Sequence, residues 1–157
     1  AHIPVIASAL NDLPVSFEQL AATQSNIGRM RAAGVAVSIG LVDDNETHKL
    51  SYARQYAGNL VALTRLPGAT GLTWDQAFAT ITSGPAIAAG VGDVIGSLQP
   101  GRVGDVVIWD GDPLELGSAP TAIYIDGVSQ PMTSRQTELR NRYMNPVPGD
   151  LPNAYDR

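Results

Sequence analysis

Residues 35–42 read Val-Ala-Val-Ser-Ile-Gly-Leu-Val, an almost unbroken apolar, β-branched run of eight. That is the pattern of a strand buried on both faces, as in a parallel sheet. Parallel strands cannot be joined by a tight hairpin, so a crossover must precede the run. Ile3–Ala7 supplies an earlier apolar β-type stretch with Pro4 inside it, and Asn11, Asp12, Leu13 and Pro14 make a turn-rich segment after it. Ser16 followed by Gln19 meets the capping-box spacing. Phe17, Leu20, Ile27 and Met30 then recur at helical spacing until Gly34 offers the left-handed stop. Strand, capped helix and continuous apolar strand make a βαβ unit, whose crossover is expected to be right-handed.

After the acidic turn Asp43-Asp44-Asn45, residues 49–63 read as a helix with Leu50, Ala53, Ala57, Leu60 and Val61 on one face, ended by Pro67 and Gly68. Thr73 and Gln76 form a second capping box, opening a helix through Trp74, Ala77, Phe78 and Ile81. Pro85 begins another short helical turn, where its missing N–H costs nothing. From Gly96 onward the texture turns to β. Val106–Trp109 and Ala122–Ile125 are apolar runs, and Asp126-Gly127 is the strongest short hairpin signal in the chain. Residues 134–143 read as a polar helix, followed by a Pro-rich tail expected to be extended or disordered.

Composition narrows the partners. The chain has 157 residues, enough for one domain or a piece of something larger. With 44% hydrophobic and only 16% charged residues it is too apolar and too weakly charged for intrinsic disorder. Ten Lys and Arg against fifteen Asp and Glu give a net charge of −5, so no nucleic-acid partner and no anionic membrane surface is expected. No apolar run approaches the length of a membrane span, and no signal-peptide pattern opens the chain. Compartment stays open. The absence of cysteine removes disulfides, thiolate zinc sites and cysteine nucleophiles, and the two histidines, His2 and His48, are too few for a self-contained many-histidine metal site.

Functional groups in parallel α/β sheets sit just past the carboxyl ends of strands, which makes Asp43 the best chemical candidate. A carboxylate there can complete a metal's ligand set or take a proton from metal-bound water. The same residues also read as an ordinary polar turn that caps the next helix. An EF-hand reading fails, because His48 stands where that loop needs Gly and Arg54 where it needs Glu. His48, five residues past Asp43, is placed to face the same crevice and contact a substrate, or simply to cap a helix. His2 has no partner in sequence. Asp110-Gly111-Asp112 reads as a turn before Pro113. Gly90, Gly92 and Gly96 follow a helix rather than a strand and lack the dinucleotide-binding spacing, and no Ser stands in a nucleophile elbow.

The stretch Ile81-Thr82-Ser83-Gly84-Pro85-Ala86, Ala89-Gly90-Val91 and Gly92 through Trp109, with Gly96-Ser97-Leu98-Gln99-Pro100-Gly101 and Gly104-Asp105-Val106-Val107, resembles the C-terminal signature of metal-dependent amidohydrolases. Asp110–Leu114 and Tyr124–Gly127 continue the likeness. Ile3–Ile6 and Ala33–Val37 are similar to late strands of the imidazolonepropionase-like branch. The resemblance implies the C-terminal part of a (β/α)8 TIM-like barrel plus part of a flanking β-sandwich. Residues 1–95 would hold the last βα units, 96–133 the sandwich portion, and 134–157 a C-terminal helix and tail.

It further implies hydrolysis of an amide or cyclic-amide C–N bond by metal-activated water, with Asp43 as metal ligand and general base at the end of the eighth barrel strand. The cofactor implied is a divalent metal, zinc first, with most ligands outside this chain. The family's His-x-His pair, its mid-barrel carboxylate or lysine and its two later histidines have no counterpart here. Val42 precedes Asp43 where the family often has Thr or Gly, and Gly84 stands where Asn commonly precedes Pro-Ala. The partners implied are the remainder of the enzyme, or a second chain that completes the barrel, and a small-molecule substrate. The alternative is a standalone non-catalytic α/β binding or interaction module.

Overall fold

The computed structural model describes residues 3–9, 16–41 and 50–144. Its first layer is a parallel pair, β1 (Val5–Ala7) and β2 (Val37–Ile39), with Val5 opposite Val37 and Ala7 opposite Ile39. All three residues of β2 are buried, as an apolar run in a parallel sheet should be. At its amino end the strand starts later than the run because Val35 belongs to a helix cap. Its N–H returns to the Met30 carbonyl while the Gly34 N–H returns to Arg31, with Gly34 at φ +79°. These two bonds are the Schellman stop that the glycine foreshadows.

The single helix expected from Ser16 to Gly34 is split. A 3-10 turn covers Phe17–Gln19, and α1 runs Asn26–Ala32. Thr23 is the physical reason: its hydroxyl accepts the Ser25 N–H at 3.2 Å and its carbonyl the Asn26 N–H at 3.1 Å, a local turn that competes with the helical ladder. The expected Ser16 capping box does not form, since the Ser16 hydroxyl bonds to Glu18. Phe17 and Leu20 consequently face solvent, at 84% and 65% exposure, whereas Ile27 on α1 is buried.

Helix α2 (Tyr52–Ala62) buries Tyr56, Ala57 and Leu60 and continues as a 3-10 turn through Arg65. Leu50, expected on its apolar face, precedes the helix and is exposed. The core sits between α1, α2 and the segment after α2, with Ile27, Leu60 and Leu72 its largest fully buried side chains. Close approach is built in. A Cβ on Gly28 would stand 2.1 Å from the Thr70 carbonyl oxygen, and the Ser25 hydroxyl accepts the Thr70 N–H at 3.0 Å. Helix α3 (Trp74–Ala79) opens with the complete Thr73–Gln76 capping box and stops short of Ile81. Helix α4 (Ser83–Ala88) carries Pro85 in its first turn, and Thr80, just before it, accepts the β2 Ile39 N–H at 3.1 Å.

The remaining strands form a separate antiparallel sheet in the order β3 (Val106–Trp109), β4 (Pro120–Ile125), β5 (Val128–Ser129). The Asp126-Gly127 turn has φ +51° and +74°, the two positive values a type I′ hairpin requires. The sheet is tied to the helices by polar contacts. Arg54 Nη1 lies 3.1–3.2 Å from the carbonyls of Pro113, Glu115 and Ser118, and its guanidinium stacks 4.7 Å over the Trp109 ring. The Trp74 indole N–H donates to the Asp112 carboxylate at 2.9 Å. Helix α5 (Arg135–Met144) buries no residue. Among the described residues no helix is long and apolar enough to cross a membrane.

Candidate functional site

Because β1 and β2 are parallel, their carboxyl ends open on the same side. Ser8 and Ala9 follow β1, Gly40 and Leu41 follow β2, and the Gly40 N–H donates to the Ala7 carbonyl at 3.0 Å. Asp43 follows Ile39 by four residues in sequence. Asp43, Asp44 and His48 lie outside the described residues, as does His2.

Beside the end of β1 is a cavity of about 300 Å³, lined by Ser8, Glu18, Gln19, Thr23, Asn26 and two alanines. The Glu18 carboxyl is held below its ordinary value of 4.5, first by a backbone hydrogen bond and then by the Ser16 hydroxyl. It therefore presents a carboxylate at neutral pH. None of these residues stood out in the sequence as a functional group, Gln19 being read only as a helix cap. The available signal was position, because a polar loop after a strand's carboxyl end lines the ligand crevice. A smaller cavity, about 140 Å³, involves Pro4 and Ala36 at the amino ends of the strands, the end associated with stability rather than chemistry.

Other candidate groups are structural. Asp110 accepts the Ala119 N–H at 2.7 Å and Asp112 accepts the Leu114 N–H at 2.9 Å, so the cluster is the expected turn. Gly90 ends α4 and Gly96 bends the chain at φ +87°. Arg102 donates to the carbonyls of Gly92 and Ile95, closing that glycine-rich stretch on itself rather than around a phosphate. Gly104 and Asp105 grip the hairpin: the Asp105 carboxylate accepts the Asp126 N–H at 2.8 Å, and the Gly104 carbonyl accepts that of Gly127 at 2.9 Å. Among the described residues no three His, Cys, Asp or Glu side chains gather to hold a metal ion.

Residues 3–141 match the Amidohydrolase family. The chain belongs to the amidohydrolase family. Among curated relatives, amidohydrolase tasK of Hapsidospora irregularis is 42% identical over 60 residues, covering 38% of this chain and 6% of that protein. A urease α subunit of Natronomonas pharaonis is 33% identical over 73 residues, covering 46% and 12%. The crystal structure of an amidohydrolase from Thermotoga maritima superposes with a TM-score of 0.68 at 28% identity, over 82% of this chain and 31% of that one. An adenosine deaminase from Xanthomonas campestris, solved with bound zinc, gives a TM-score of 0.55 at 19% identity, over 90% and 36%. This amidohydrolase chain thus spans about a third of the solved structures and an eighth or less of the curated relatives. These relatives give the family and lend no specific support to the imidazolonepropionase-like branch.

Proposed function

We propose that this chain is the closing portion of a metal-dependent amidohydrolase that cleaves an amide or cyclic-amide C–N bond. Residues 1–95 would supply the last units of a (β/α)8 barrel, 96–133 part of a flanking β-sandwich, and 134–157 a terminal helix and tail. The observation that carries the reading is the parallel β1–β2 pair in a family member, with Asp43 next in line past the carboxyl end of β2. With only His2 and His48 as imidazoles and no counterpart in the sequence to the family's other ligands, most metal ligands are assigned to the remainder of the enzyme or a second chain. A bound divalent metal, zinc first, would supply Lewis acidity and an acidified water. Asp43 would add one carboxylate. His48 would contact substrate from the same loop.

Half-covered surfaces support the reading of an incomplete barrel. Ile3 and Ile6 are 70% and 55% exposed, and β1 has no strand on its other side among the described residues. Such an edge calls for a partner. The test is Asp43→Asn in the complete protein, assayed on linear and cyclic amides. Turnover should fall by several orders of magnitude with the thermal unfolding midpoint unchanged. A loss below about tenfold, roughly 1.4 kcal/mol, overturns the role and leaves the non-catalytic binding module as the better account.

A further inference from the structure

The cavity past β1 has a chemical bias that its position does not require. Among the described residues its polar lining is the Glu18 carboxylate, the Gln19 and Asn26 amides, and the Ser8 and Thr23 hydroxyls, with no Lys or Arg. A carboxylate only accepts hydrogen bonds, and the Asn26 amide can turn its acceptor oxygen to an entering N–H group. We propose that this cavity receives a cationic, N–H-rich arm of the substrate, a guanidinium or ammonium group, with the Glu18 carboxylate as the residue that selects it. The inference deepens the amidohydrolase reading, and rests on it for the cavity being part of the substrate's path.

Two features converge on that occupant. At about 300 Å³ the cavity is at the small end of ligand sites, sized for a side arm rather than a whole substrate. Glu18 is fully ionised at neutral pH, because its backbone hydrogen bond and the Ser16 hydroxyl both favour the charged form. A substrate carrying a carboxylate or phosphate in this arm would meet like charge and be excluded.

The experiment uses n-butylguanidinium and its neutral analogue n-butylurea as probes of the complete protein, with binding read from the side-chain amide NMR signals of Gln19 and Asn26. The guanidinium should shift both signals saturably, and the urea should bind at least about tenfold more weakly. Glu18→Gln should erase that preference, and Asn26→Asp, which adds a second carboxylate, should strengthen guanidinium binding. Equal affinity for the two probes, shifts at neither amide, or a preference that survives Glu18→Gln overturns the proposal. Asp43→Asn leaves this binding intact, so failure of the catalytic reading and failure of the pocket reading give different results.

Discussion

The helical part and the antiparallel sheet of this chain are held together by different forces. Around β1, β2 and the first three helices, Ile27, Tyr56, Leu60, Leu63 and Leu72 are buried against one another, and stability comes from removing apolar surface from water. In β3–β5 no residue is buried: Val107, Ile125 and Val128 are 44%, 55% and 63% exposed. What shapes the sheet is backbone geometry and polar clamps, namely the type I′ turn, Asp105 on Asp126, Asp110 on Ala119, and Arg54 reaching across from α2. Leu114 is the one sheet-side residue in the main core, and it reaches there from the loop between β3 and β4. A signature rich in Gly and Asp is thus a turn-building code in which side chains replace the missing core.

Leu60→Ala should produce the largest effect, about 2–5 kcal/mol of lost stability by denaturant unfolding, since the side chain is fully buried beside Leu72. A loss under about 1 kcal/mol would mean the helical part does not depend on its core. Arg54→Leu should cost less, about 1–3 kcal/mol, by removing charge-assisted bonds to three carbonyls and the stack on Trp109. Its distinguishing mark is locality: Trp109 fluorescence should change while amide exchange at Leu60 and Leu72 stays slow. If the helical amides loosen equally, the two regions are one cooperative unit and the contrast fails. Gly127→Ala should have the smallest effect, about 1 kcal/mol, because it places a Cβ at φ +74°. It is read as faster exchange of the Gln130 N–H, which bonds to Ile123 across the hairpin.

Much of this architecture is legible one residue at a time. Gly34 and Asp126-Gly127 announce positive φ values, and Thr73-x-x-Gln announces a reciprocal cap, because each is a local bargain between a side chain and its own backbone. The βα break at Thr23 was not legible, since Thr is neutral in a helix until its hydroxyl finds a nearby N–H. Arg54 resisted for the opposite reason: its partners lie 59–64 residues away, beyond any local pattern. Of the candidate site, sequence gives the order of Asp43 after a buried strand, whereas the Glu18 cavity depends on Ser8 and residues 18–26 coming together in space.

The hydrogen bond from Ile39 N–H to the Thr80 carbonyl makes the two edges of the β1–β2 pair different. β1 and β2 bond to each other through the Val5 and Gly40 N–H groups, so the Ile39 N–H points to the opposite edge of β2, and the turn before α4 already occupies it. A strand arriving at β1 gains its bonds outright, each worth about 1 kcal/mol net. A strand arriving at β2 must first take that N–H from Thr80, an exchange with little net gain. The two edges of this strand pair are therefore unequal in what a further strand would gain.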